Sequence, residues 1–415
     1  MRKETIWFLS VLILCTLTMH YVFFWFSDTQ THDYPFGKTP DNYFHYTQVI
    51  LRDYHIGAKY FGTHLPLYLA TSIMEPIVAF NLIIPFWFCF LLPLGVYFMS
   101  REFLNSNSLG ILAAILFTFG TDVIATIFQI AVWPQGFNMI LVCFALGFSI
   151  RYFRFNRKRD LILALSILVW SALAHLQFAM ASFAIALVFL VAKRRYMEVY
   201  ILSLGAAIIL FKLRDIYGLR IISTDFYVNP LMLLFSVFLP SLAAGLYGLW
   251  KFRKSQNDWS TIIIIAPLYA STFFLFVDPN YRLYMNMLMF LSPFMAYGLM
   301  EGLHEAVTLI LKVFHGKGWV WVRQKRFTQA LLGLYLIAMF AYFLMFPVYL
   351  SWNAIMAQSH GSESMVEKMD KYYPPPTLKP LLEKKKVDEA NDEINVFCVK
   401  CNNICNGQKN DSKLG

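Results

Sequence analysis

The residues able to do chemistry in this sequence are carboxylates, histidines and one arginine, and they lie between apolar runs, not inside them. The stretch Thr31–Tyr46 (THDYPFGKTPDNYFHY) holds Asp33 and Asp41, with His45 four positions after Asp41 and so one helical turn along the same face. An ionised carboxylate within hydrogen-bond reach of a hydroxyl can act as a general base. Downstream come the run His64-Leu65-Pro66-Leu67-Tyr68, then Asp122, Asp215 and Asp225, then Asp278-Pro279-Asn280-Tyr281-Arg282. An arginine at a lipid–water boundary suits a phosphate, because its planar fork donates two hydrogen bonds at once.

Each feature also has a structural explanation. Pro40-Asp41 can be a helix N-cap, and Arg282 can anchor a helix end by snorkelling. His175 and Gln177 can be the polar tips of a tight hairpin, while Trp133-Pro134-Gln135 reads as an ordinary helix opening with an interfacial Trp. His45, His55 and His64 are nine to ten residues apart, which matches no tight metal motif. Neither Asp33 nor Asp41 sits in an Asp-x-Asp, so a divalent metal is possible but not indicated, and no cofactor is expected. Cys398, Cys401 and Cys405 lack a fourth zinc ligand nearby. A local disulfide with a spare thiol fits them if the tail is outside the cell interior, and metal binding gains ground if it is not.

The elements that must position these groups are membrane helices. Of the 415 residues, 58% are hydrophobic and 14% charged, against roughly 25% charged in soluble domains. Water cannot face that much apolar surface, whereas lipid can. Apolar runs of spanning length fall near 5–27, 78–99, 107–121, 136–152, 161–175, 177–192, 197–213, 230–250, 260–277, 283–300 and 328–350, which makes about eleven helices. The basic start MRKETIWFL and the bulky residues Tyr21–Phe26 favour an uncleaved first helix over a signal peptide. The expected fold is all-α, a polytopic transmembrane bundle over 1–350, followed by a flexible tail over 351–415. Residues 28–75 form a large first outer loop, with an amphipathic stretch at Tyr43–Tyr60 suited to the membrane surface. Val307–Phe314, inside the segment 301–327, is too short to span and reads as an interfacial helix.

The net charge of +10 invites a nucleic-acid reading, which its placement removes. With the N-terminus in the cytoplasm, the cytoplasmic segments carry 19 basic against 7 acidic residues, and the outer segments before residue 351 carry 7 against 9. The excess is a topology signal. It puts Asp33, Asp41, Asp122, Asp215, Asp225, Asp278 and Arg282 together on the non-cytoplasmic side. The expected location is therefore an integral multi-pass membrane protein of the plasma membrane or endoplasmic reticulum. No nucleic-acid partner is expected.

This layout resembles the GT-C superfamily of polyprenyl-phosphate-sugar-dependent glycosyltransferases, which contains protein O-mannosyltransferases, aminoarabinose transferases and oligosaccharyltransferases. The resemblance rests on the Asp-bearing loop after one helix, the His-x-Pro-Leu-Tyr run and the helix opening with Tyr281-Arg282, and it covers roughly residues 1–300. It implies a GT-C-type bundle that moves a sugar from a lipid-linked donor to an acceptor at the non-cytoplasmic face. By that resemblance Asp41 is the first choice for the carboxylate that activates or orients the acceptor, with Asp33 as alternative or partner. His45, His64, Tyr68, Tyr281 and Arg282 would contact substrate, Arg282 at the lipid phosphate. Inverting transfer needs attacking and leaving groups on opposite faces of the sugar. The chain departs from the O-mannosyltransferases in having Asn42 after Asp41, which breaks their acidic pair, and it shows no folded C-terminal domain. A transporter or flippase of a lipid-linked substrate, or a non-enzymatic scaffold of the same fold, is the alternative. A transporter would need broken helices and a polar path at mid-membrane, and the sequence shows few such residues.

Overall fold

The computed structural model describes residues 45, 49, 60–124, 127, 133–175, 237–252, 263–268, 271–272, 281–314 and 320–345. Among them the chain is all-α. The elements are α1 (Phe61–Thr71), α2 (Pro76–Pro85), a π-helical segment (Phe86–Leu91), α3 (Leu92–Leu104), α4 (Asn107–Gly120), α5 (Trp133–Phe155), α6 (Lys158–Ala174), α7 (Leu239–Phe252), α8 (Tyr281–Phe314) and α9 (Val320–Met345). Three stretches are long and apolar enough to cross a membrane: Val78–Leu104, Trp133–Phe155 and Gln324–Phe343. The spans expected near 5–27, 177–192 and 197–213 lie outside the described residues, as does the tail with its three cysteines.

From α2 to α3 the chain is one continuous rod interrupted by a wider turn. Pro93 brings a ring that would collide with the carbonyl four residues earlier in an α-helix. The preceding turn widens, so that the Leu92 N–H bonds back five residues to Trp87. That turn buries Trp87, Phe88 and Cys89 and leaves Trp87 4.4 Å from the Phe137 ring.

Two hairpins are closed by asparagine. Asn105 after α3 and Asn156 after α5 adopt φ of 53° and 51°, the left-handed conformation that Asn tolerates better than most residues. Ser106 then caps α4 by accepting from the Leu109 N–H at 3.3 Å. Arg154 donates to the Asn105 side chain at 3.1 Å, tying the two turns together. Phe103 lies 5.0 Å from Phe252 and 5.4 Å from Phe294, so the end of α7 and the middle of α8 join the same region. Arg101, Arg151, Arg154 and Lys251 therefore gather at one end of the helices. Buried Asp160 sits there 3.5 Å from Arg151, and Glu305 sits 2.6 Å from Lys251.

The opposite end collects the close of α4, the start of α5, the close of α6 and the approach to α7. The Phe238 N–H bonds to the Gly120 carbonyl at 3.0 Å, and Thr121 pairs with Val237. Helix α7 crosses α8 at backbone contact. A Cβ on Gly248 would overlap the Phe294 carbonyl, and one on Gly298 would overlap that of Ala244. Small residues permit this approach where apolar burial gives helices no reason to associate.

Two expectations need correction. Val307–Phe314 is not a helix of its own: α8 runs unbroken through Pro293 to Phe314, and α9 starts at Val320. Good helix formers between Glu301 and Phe314 allow this, and the Lys251–Glu305 pair and a bond from Gln324 to Thr308 hold the extension in place. Second, the Tyr43–Tyr60 stretch does not offer His45 to a membrane surface. His45 and Val49 are helical and 4% and 1% exposed, one turn apart on a face turned into the core.

Candidate functional site

The site is built on α1, the part of the first loop that docks on the bundle. Its glycine decides how close it comes: at Gly62 a Cβ would stand 2.6 Å from the Ala174 nitrogen, so only glycine fits against the end of α6. Thr63 then donates to the Ala174 carbonyl at 3.3 Å, and the Trp170 indole donates to the Gly62 carbonyl at 2.8 Å. These three contacts fix the rotation of α1 and turn His64 inward.

His64 meets His45 there. His45 Nδ1 lies 3.0 Å from His64 Nε2, with the rings nearly perpendicular. Both imidazoles are buried. Burial pushes the His64 pKa down to about 4, because charge is costly away from water. At neutral pH the contact is thus a hydrogen bond in which one ring donates and the other accepts.

Aromatic rings enclose the pair. Tyr60 lies 5.2 Å from His45 and 5.8 Å from His64, and it stacks on His175 at 5.7 Å. Trp133, at the first position of α5, lies 5.7 Å from both His45 and Phe80 and is fully buried. It is a wedge between the loop and the bundle, not the interfacial belt residue its position suggested. Its indole N–H has no hydrogen-bond partner among the described residues. One turn further, Asn138 accepts from Ser171, while its amide nitrogen is without a partner among the described residues. Gln135, His175 and Asp122 are buried at the same end.

Of the site residues read from sequence, His45 and His64 are brought into contact. Tyr68 lies one turn from His64 on α1 and is half-buried against the core. Tyr281 and Arg282 form the first turn of α8, and their side chains lie outside the described residues. So do Asp33, Asp41, His55, Gln177, Asp215, Asp225 and Asp278. Tyr60, Trp133 and His175 complete the cluster. The sequence signal for all three was present as polar or amphipathic groups bordering apolar runs, but their burial was not readable from spacing.

Chemically, the cluster is an imidazole pair, with His64 neutral, in an aromatic cage. Such a pair can hold one tautomer fixed, and can accept or relay a proton at the expense of its own hydrogen bond. Among the described residues, no three of the His, Cys, Asp and Glu side chains stand close enough to hold a metal ion. No protein-family model matches the chain, and neither does any curated protein.

Proposed function

We propose that the chain is a membrane glycosyltransferase of GT-C type, a bundle of about eleven helices. It would move a sugar from a polyprenyl-phosphate donor to an acceptor at the non-cytoplasmic face. The observation that carries the reading is a buried His45–His64 pair inside the first loop, held against Ala174, Trp170 and Trp133 of the bundle at the end opposite Arg101, Arg154 and Lys251. A loop that only covered the bundle would be served by apolar contacts. This one buries two imidazoles against Trp133 of α5, which supports a site whose polar groups must be held in place.

In the proposed reaction Asp41, four positions before His45 in sequence, takes the acceptor proton. The acceptor oxygen forms its bond to the anomeric carbon as the carbon–phosphate oxygen bond breaks, and polyprenyl phosphate leaves. Arg282 binds the leaving phosphate. His45, held by His64, orients the acceptor or the carboxylate. Transfer needs no oxidant and no metal in this scheme. The protein would lie in the plasma membrane or endoplasmic reticulum with its N-terminus in the cytoplasm.

The test is reconstitution of the full chain in liposomes with polyprenyl-phosphate mannose, glucose or aminoarabinose and a mixed pool of acceptors, measuring polyprenyl phosphate released. The expected result is release with at least one donor, abolished by Asp41→Asn while the purified variant keeps its elution profile and thermal midpoint. Full activity in that variant removes Asp41 from the mechanism. Absence of release with all donors, alongside donor movement between leaflets, replaces transfer by transport.

A further inference from the structure

Helix α8 is too long for one crossing. At 1.5 Å per residue its 34 residues extend about 50 Å, against a hydrocarbon core of about 30 Å. The excess is at its C-terminal end, where it pairs with α9. Gln324, the first residue of the apolar stretch Gln324–Phe343, donates from its side-chain amide to Thr308 at 2.7 Å. The bond sets the start of α9, with Lys325 and Arg326, beside the last turns of α8, and the exposed Glu305, paired with Lys251, lies about one turn before Thr308.

Beyond Thr308 the helix is apolar on its outside. Leu309 is 65% exposed and Val313 71%, with Ile310 beside them, while Val307 faces inward and is buried. From Ala306 to Leu350 the charge is of one sign, the two acids before it on α8 being Glu301 and Glu305, of which Glu305 pairs with Lys251. Lys312, Lys325 and Arg326 are exposed, the sequence adds Lys317 and Arg323, and no Asp or Glu occurs from Ala306 to Leu350. Exposed apolar groups among exposed cations are what an anionic lipid surface attracts.

We infer that the α8–α9 hairpin is a docking surface for anionic phospholipid headgroups, with Leu309, Ile310 and Val313 among the acyl chains and Lys312, Lys325 and Arg326 at the phosphates. Water alone would leave the apolar trio unfavourably exposed, and a zwitterionic surface would leave the cations without counter-charge. The inference is independent of the transfer reaction.

The experiment compares the full chain in nanodiscs of phosphatidylcholine with discs containing phosphatidylglycerol, reading the thermal midpoint and the lipids retained on gentle extraction. Phosphatidylglycerol is expected to raise the midpoint and to be retained several-fold over its share of the disc. Inorganic phosphate added to phosphatidylcholine discs is expected to do neither, since it cannot engage the apolar trio. The variant Lys312→Gln/Lys325→Gln/Arg326→Gln, all at exposed positions, should lose the enrichment. The charge-matched control Arg157→Gln/Lys158→Gln/Arg159→Gln, at the α5–α6 turn, should keep it. Equal behaviour in the two lipids overturns the inference, as does equal loss in both triple variants, which would reduce the effect to net charge. A midpoint rise with phosphate alone equal to that with phosphatidylglycerol would also overturn it, by making the site a free-anion site.

Discussion

His45 Nδ1 and His64 Nε2 face each other at 3.0 Å, joining two parts of the first loop where it rests on the bundle. Two imidazoles so placed share a single proton between them. Adding a second proton replaces a hydrogen bond by like-charge contact, or leaves one ring charged among aromatic walls.

The pH consequence has a definite sign. The His64 pKa is lowered from 6.5 to about 4, so in the window between these values the unfolded chain binds a proton that the folded chain does not. Stability is therefore independent of this group above about pH 6.5 and falls as pH drops toward 4. By pH 5 the loss is about 2 kcal/mol at 1.36 kcal/mol per unit. His64→Gln should flatten that segment of a thermal-midpoint titration. An unchanged slope would place the titration elsewhere.

Trp133 separates packing from hydrogen bonding. Its ring is fully buried against His45 and Phe80, while its N–H has no partner among the described residues. Trp133→Phe keeps most of the ring area and should cost less than about 1.5 kcal/mol. Trp133→Ala opens a cavity and should cost about 3–5 kcal/mol. Unfolding in graded denaturant measures both, and equal costs would show that the indole nitrogen holds something.

These residues also show what the sequence carried and what it withheld. Apolar runs mark the helices because lipid exposure requires length, and the expected helix at 107–121 matches α4 within a residue at each end. The opening of α5 at Trp133-Pro134 was legible because proline suits a first turn. Burial of His45 was not, since a period that alternates polar and apolar residues cannot say which side meets a partner. Contact between His45 and His64 is set by Gly62 fitting the end of α6, a tertiary fact that one-dimensional spacing does not contain. The long α8 was missed for a related reason. Its charged residues Glu301 and Glu305 look like a helix end, yet Lys251 on α7 pairs with Glu305 and lets the helix continue.

Glycine at the α7–α8 crossing should behave unlike Gly333 on α9, which has open space beside it. Gly298→Ala drives a methyl into the Ala244 carbonyl, whereas a Cβ on Gly333 meets nothing within 4 Å. The first should lower the thermal midpoint by several degrees, the second should leave it within experimental error. Equivalent shifts would mean that the two helices do not meet through Gly298.

The last prediction joins the fold to the site. Gly62→Ala puts a Cβ 2.6 Å from the Ala174 nitrogen, and the clash is with backbone, so α1 itself must move. Lifting α1 stretches the bonds from Thr63 to Ala174 and from Trp170 to Gly62, and draws His64 away from His45. These two bonds reach only the end of α6, so the global midpoint should fall by a few degrees at most. Proteolysis within the first loop should rise, and the pH 4–6.5 dependence assigned to His64 should weaken as the ring gains water. In the proposed transfer reaction the variant should lose at least tenfold in turnover, since a displacement of about 1 Å at a site can cost about a hundredfold. Gly62→Ala with wild-type loop protection and an unaltered His64 titration would show that α1 is not held by the end of α6.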